Sequence, residues 1–271
     1  MVIIRELAEG VEIFRRPGDG CRRTIVLLHG IGSNAYSFEP MVRALPRSLE
    51  VIAWNAPGYG QSRPLAEAAP TPRDYAGMLA KVMDALGLSQ VGLVGHSLGA
   101  LFAASFVASY PERVSALALV SPALGYRVPA HEPLPPAVQQ RIDEIETLGP
   151  EAFARKRAAR LVGDPVGKPN VVAAVEQAMA SVHPQGYAQA VRALGAGDML
   201  ADLAGVSVPS LIAVGSKDAI TPPANAKSAR DAVRGAAEYY EIDGSGHALP
   251  QEEPALIARL VATFVETNAS A

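Results

Sequence analysis

Three side chains with the chemistry of a nucleophile, an acid and a base occur in a fixed order along the chain, each shortly after a strand pattern, the last of them Glu238 to Ile242. Ser97 stands at the centre of Gly95-His96-Ser97-Leu98-Gly99, Asp218 follows Gly215-Ser216-Lys217, and His247 closes Gly244-Ser245-Gly246-His247. A serine hydroxyl is a weak nucleophile until a base takes its proton, and imidazole serves as that base when a carboxylate fixes its tautomer. Serine, then acid, then histidine is the order such a set takes on an open α/β sheet. Glycines two positions either side of Ser97 suit a sharp strand-to-helix turn, in which strand and helix approach closely and the serine takes strained backbone angles. Such a turn exposes the hydroxyl and aims a helix N-terminus at developing negative charge. Of the five histidines, His29 follows the first buried strand and His96 is expected to point away from the reaction, while His131 and His183 lie in a segment without strands. Only His247 follows a strand at the right place. Asp198 and Asp202 also precede His247 and stay open as alternatives to Asp218 for the acid.

A sheet must bring these positions together. Unbroken apolar runs at 24–28, 51–54, 91–94, 114–120 and 211–214 each stop at Gly, Ser-Pro, His-Gly or Asn-Ala-Pro-Gly, the texture of parallel strands covered on both faces. Helical patterns at 75–86 and 98–110 lie between them. Strand and helix therefore alternate, which implies right-handed crossovers in an open, doubly wound, mostly parallel sheet with ligands beyond the carboxyl ends of its strands. Residues 2–16 read as an antiparallel hairpin about Ala8-Glu9-Gly10 at a sheet edge. The alternation breaks between 123 and 200, where a Pro-rich entry (Pro129, Pro133, Pro135, Pro136) leads into helical patterns at 137–148, 150–161, 170–181 and 186–194. The expected organisation is a core of 1–122 and 201–271 with an all-helical cap, or lid, of 123–200. Leu148, Phe153 and Leu161 of the cap are expected to line an acyl pocket above Ser97.

Taken with their contexts, these motifs resemble the α/β-hydrolase superfamily along the whole chain. His29-Gly30-Ile31-Gly32 is similar to its oxyanion loop and Pro57-Gly58-Tyr59-Gly60-Gln61-Ser62 to its Pro-Gly-x-Gly-x-Ser turn, while Ala100 and Asn55 depart from the commoner Gly and Asp. The resemblance implies a catalytic triad of Ser97, Asp218 and His247, an oxyanion hole made by the backbone amides of Ile31 and Leu98, and no cofactor. Relatives that cleave carbon-carbon bonds of ring-fission dienes usually carry Asn before the nucleophile and an aromatic after the histidine, where this chain has His96 and Ala248. Haloalkane dehalogenases and epoxide hydrolases use an aspartate nucleophile. Carboxylic ester and lactone hydrolases remain, including those resembling 3-oxoadipate enol-lactonase, together with perhydrolases and amidases. A different class, hydrolase-like small-molecule receptors with little turnover, shares the same motifs.

Bulk properties agree with a small-molecule partner. Among 271 residues 49% are apolar and 19% charged, enough to bury a large core. With a net charge of −3 and a pI of about 6.0 the chain has no basic field for nucleic acid. The single cysteine, Cys21, allows no internal disulfide and no Cys-based metal site. Absence of a signal-peptide pattern and of an apolar run of spanning length leads to the expectation of a cytoplasmic enzyme without a membrane partner. The sequence leaves the oligomeric state and natural substrate open. Arg192, with Arg155, Lys156, Arg157 and Arg160, gives the cap cationic character, read foremost as a solvated helix face and otherwise as a contact for a substrate carboxylate.

Overall fold

The structure, a computed structural model, describes residues 3–20, 23–129 and 132–268; Cys21 and His131, and Val2 of the expected hairpin, lie outside the described residues. Eight strands form one sheet: β1 (Ile4–Ala8), β2 (Val11–Arg16), β3 (Arg23–Leu28), β4 (Leu49–Trp54), β5 (Val91–His96), β6 (Val114–Val120), β7 (Ser210–Gly215) and β8 (Ala237–Ile242). Their order is β1-β2-β4-β3-β5-β6-β7-β8. β1, β2 and β4 pair antiparallel, and β4 through to β8 run parallel. The edge hairpin turns at Glu9 and Gly10, both with positive φ (51° and 77°), as a two-residue turn matched to strand twist requires.

The helices are α1 (Glu39–Ala44), α2 (Pro72–Ala85), α3 (Leu98–Ser109), α4 (Pro136–Arg157), α5 (Pro169–Ala180), α6 (Pro184–Ala196), α7 (Met199–Leu203), α8 (Pro223–Ala232), α9 (Leu249–Glu252) and α10 (Pro254–Asn268). Side chains alternate across the strands, so β3 sends Val26 and Leu28 to one face and Ile25 and Leu27 to the other. The first face packs α2, α3, α7 and α8; the second packs α1 and α10. α3 is buried almost all round, and Gly99 puts its backbone against the Leu28 carbonyl, where any side chain would collide.

The chain moves from β3 outward to β4 and then returns to β5 on the other side of β3. The strand order thus reverses between β3 and β5, the switch point at which such sheets hold ligands. β3 ends at the His29-Gly30 loop and β5 ends at Ser97. Helices α4 to α7 occupy the stretch between β6 and β7 with no strand among them. α4 is broken at Gly149 (φ 75°, ψ 161°), next to Pro150. The break folds its halves together, since Lys156 and Arg157 meet Glu144, whereas residues 13 apart in a straight helix stand roughly 20 Å apart.

Candidate active site

Ser97 occupies the turn between β5 and α3 with φ 55° and ψ −115°, a conformation that a side-chain-bearing residue adopts only under constraint. The constraint is visible. Its N–H donates to the Val120 carbonyl at 2.9 Å, its own carbonyl accepts from Ala123 N–H at 3.2 Å, and any side chain at Gly95 would strike Gly99 and Ala100. The turn presents Ser97 Oγ to His247, whose Nε2 lies 3.0 Å away. On the other edge of the ring, Nδ1 is 2.9 Å from Asp218 Oδ2. A proton on Nδ1, shared with the carboxylate, leaves the Nε2 lone pair free to accept the serine proton.

Asp218 is buried, yet its carboxyl is held down to about 2. Burial pushes it up, and the hydrogen bond and charge of His247, with the amides of Thr221 and Ile220, outweigh that push. Both amides donate to Oδ1, each at 2.9 Å, so Oδ2 is left to face the histidine. Thr221 Oγ1 sits 3.0 Å from both Asp218 Oδ2 and His247 Nδ1 and 2.9 Å from the Ser121 carbonyl. The hydroxyl bridges Asp218, the His247 ring and the exit of β6. Sequence reasoning missed Thr221, although its position three residues after the acid on a tight turn is a signal of a local hydroxyl contact. The alternative acids are placed elsewhere: Asp198 caps α7 through Ala201 N–H and Asp202 lies within that helix.

His96 does not point away from the reaction as expected. Its ring centroid is 5.1 Å from that of His247, and its Nε2–H donates to the His247 carbonyl at 2.8 Å, fixing the backbone that carries His247. His29 fixes the neighbouring loop by donating from Nδ1 to Gly30 O and accepting Ala56 N–H at Nε2. Burial pulls both rings down, His29 to about 4 and His96, helped by the nearby His247, to about 3. Both stay neutral in the fold where the unfolded chain, with pKa 6.5, takes up protons. Stability must therefore fall as pH drops below 6.5. The two rings together remove on the order of 4 kcal/mol between pH 8 and pH 5. Glu252 and Asp202, raised by burial, offset part of this, and Asp218 adds a further loss only between about pH 4 and 2. Urea denaturation at the two pH values checks the expectation, and His96→Asn should flatten the profile by about half. A flat wild-type profile would contradict it.

Ile31 and Leu98 flank Ser97 at the ends of β3 and β5. Among the described residues neither N–H donates to another backbone group. The Ile31 carbonyl is tied back by Tyr59 Oη–H at 2.7 Å, so the Pro57-to-Ser62 turn braces this loop. That turn is in turn held by Glu12: Oε2 accepts from Gln61 N–H at 2.9 Å and from Asn55 Nδ2 at 2.6 Å. The departure to Asn55 is explained by this contact, because an aspartate there would oppose the buried Glu12 carboxylate. Ala100, the other departure, is fully buried in α3.

Above these groups is a cavity of about 580 Å³, lined by Ile31, Ser97, Leu98 and His247 from the strand ends and by Phe153 and Leu161 from the helical segment. Leu148, expected there as well, is instead exposed at the α4 break. The helical segment is fastened to the histidine loop through Glu252, whose two oxygens accept Gly246 N–H at 2.8 Å and Gly163 N–H at 3.0 Å. Ala248 N–H donates to Leu161 O at 2.8 Å. Among the described residues no group of three or more His, Cys, Asp or Glu is placed to hold a metal ion, and no helix is long and apolar enough to cross a membrane.

Comparison with known proteins identifies the family. Residues 23–254 match the family described as alpha/beta hydrolase fold. The chain is 26% identical to the (E)-2-((N-methylformamido)methylene)succinate hydrolase of Acinetobacter baylyi over 254 residues, 90% of either chain. In structure it resembles the enol-lactonase from Burkholderia xenovorans LB400 (TM-score 0.85, 24% identity, 97% of this chain and 100% of that one). It also resembles a thermophilic esterase from Thermogutta terrifontis (TM-score 0.85, 22% identity, all of both chains). At these identities the structural likenesses speak for the fold, and the family match covers most of the sequence. The chain belongs to the α/β-hydrolase family.

Proposed function

We propose that the chain is a serine hydrolase that cleaves a carboxylic ester or lactone of a small molecule through an acyl-enzyme. The observation that carries this reading is the unbroken relay from Asp218 through His247 to Ser97, with spacings of 2.9 and 3.0 Å. His247 Nε2 takes the hydroxyl proton as Ser97 Oγ attacks the acyl carbon, and Asp218 steadies the resulting imidazolium. The carbonyl oxygen, now negative, is received by the Ile31 and Leu98 amides. His247 then protonates the departing alkoxide, leaving acyl-Ser97, accepts a proton from the attacking water, and returns it to Ser97 Oγ as the acid leaves. Each step uses groups of the chain and water alone. A cavity of about 580 Å³ is of the size that takes a small molecule.

Residues 123–200 act in this reading as a lid that shapes the acyl pocket and limits water above Ser97, where a drier setting strengthens the oxyanion contacts. Phe153, fully buried and edge-on to Tyr187 with ring centroids 5.3 Å apart, forms one wall. Phe153→Leu should shift the ratio of kcat/KM between long-chain and acetate esters several-fold, because pocket contacts of methylene size discriminate by about that much. An unchanged ratio in folded protein would place substrate choice in the core loops. The reading as a whole is tested by a panel of esters, lactones and ring-fission dienes offered to the purified protein. Turnover of esters or lactones is expected; cleavage of the dienes alone would replace the ester reading by carbon-carbon bond hydrolysis.

A further inference from the structure

The cavity wall contributed by the helical segment is cationic. Arg141, Arg157 and Arg160 all line it, and no Asp or Glu does. Arg157 is already engaged: it pairs with Glu144, which also takes Lys156, and lies 4.7 Å above the Phe153 ring. Arg141 and Arg160 have no ion-pair partner among the described residues. Arg141 faces the buried hydroxyl of Tyr187, whose pKa is raised by burial while Arg141 and Arg157 pull it down. Apolar side chains such as Ile31, Leu98, Phe153 and Met179 share the wall with polar ones, Ser33, Thr221 and Asn225. Arg141 is half-buried and Arg160 exposed, and an anion in the cavity would give their unpaired donors charge-assisted hydrogen bonds. The planar guanidinium fork matches a carboxylate.

Resting on the ester or lactone reading of the same site, we propose that the substrate carries a carboxylate remote from the scissile bond and that Arg141 and Arg160 hold it. The break at Gly149 serves this arrangement: Arg141 lies before it and Arg157 and Arg160 lie after it, and folding the two halves together brings all three to one cavity. Arg155, Lys156 and Arg192, grouped with Arg157 and Arg160 on sequence alone, do not line the cavity.

The test compares mono-4-nitrophenyl glutarate with 4-nitrophenyl pentanoate, whose acyl chains differ only in a terminal carboxylate against a methyl group. The wild type is expected to prefer the glutarate ester. The ratio of kcat/KM between the two should fall on the order of 10- to 100-fold in Arg141→Gln and in the Arg141→Gln, Arg160→Gln double variant, with part restored by Arg141→Lys. Glutarate itself, titrated calorimetrically into the resting protein, should bind the wild type and not the double variant. That binding reads the site whether or not either ester turns over. Glutarate binding without turnover of either ester would therefore uphold the anion site and refute the ester reading. Turnover of both esters at ratios untouched by the substitutions, with no binding of glutarate, would overturn the anion site and leave the ester reading standing.

Discussion

Ser97→Ala is expected to lower kcat for ester or lactone hydrolysis by on the order of 10⁶, equivalent to about 8 kcal/mol of transition-state stabilisation. The substitution removes the one atom that forms the acyl bond. Histidine and aspartate have nothing to activate without it, which is why the loss approaches that of removing the whole relay rather than a third of it. Any surviving rate is expected from the proposed oxyanion amides of Ile31 and Leu98 acting on a water attack. The fold should be unaffected, since the backbone of Ser97 is held by Val120 O and Ala123 N–H and not by the hydroxyl, and alanine meets the same strain at φ 55°. Turnover kinetics with an unfolding curve on the same preparation separate the two effects. Near-wild-type kcat in folded Ser97→Ala would move the nucleophile elsewhere.

Asp218→Asn should cost on the order of 10⁴ in kcat with little change in KM. The structure dictates which way the new amide lies. Oδ1 accepts from the N–H groups of both Ile220 and Thr221, so the amide oxygen must stay there and the NH₂ group must take the place of Oδ2, facing His247 Nδ1. Two donors cannot share that contact. The ring answers by placing its proton on Nε2, where it faces Ser97 Oγ and blocks proton abstraction. Asp202→Asn serves as the control, and because Asp202 lies in α7 rather than against the histidine, its kcat should stay near wild type. Equal loss in both variants, or loss only in Asp202→Asn, would assign the acid to the preceding helix.

Much of this was legible in the sequence because it is local. Apolar runs stopping at glycine mark buried parallel strands, so β3 to β7 and the turn at Ser97 read directly from residue types. The order of Ser97, Asp218 and His247 could be tied to successive strand ends because, in a parallel sheet, every such end points to the same edge. What escaped depends on contacts between residues distant in the chain. His96 meets the His247 backbone across 151 positions, and no periodicity encodes that approach. Arg141 was not grouped with the other cations of 123–200 because the chain reversal at Gly149, not helical spacing, brings it to Arg157. Leu148 fails for the same reason: it stands next to the break and turns outward. Asn55 looked like a departure from a pattern until its partner Glu12, 43 residues away, was placed beside it.

The most direct measurement on the central claim is the site of covalent labelling by a fluorophosphonate, which reacts with a serine that a neighbouring base has activated. Intact-mass analysis followed by peptide mapping should find one adduct per chain, on the peptide holding Ser97, with none in Ser97→Ala and slowed labelling in Asp218→Asn. An adduct on another residue, or equal labelling of wild type and Ser97→Ala, would contradict the assignment of Ser97 as the activated nucleophile.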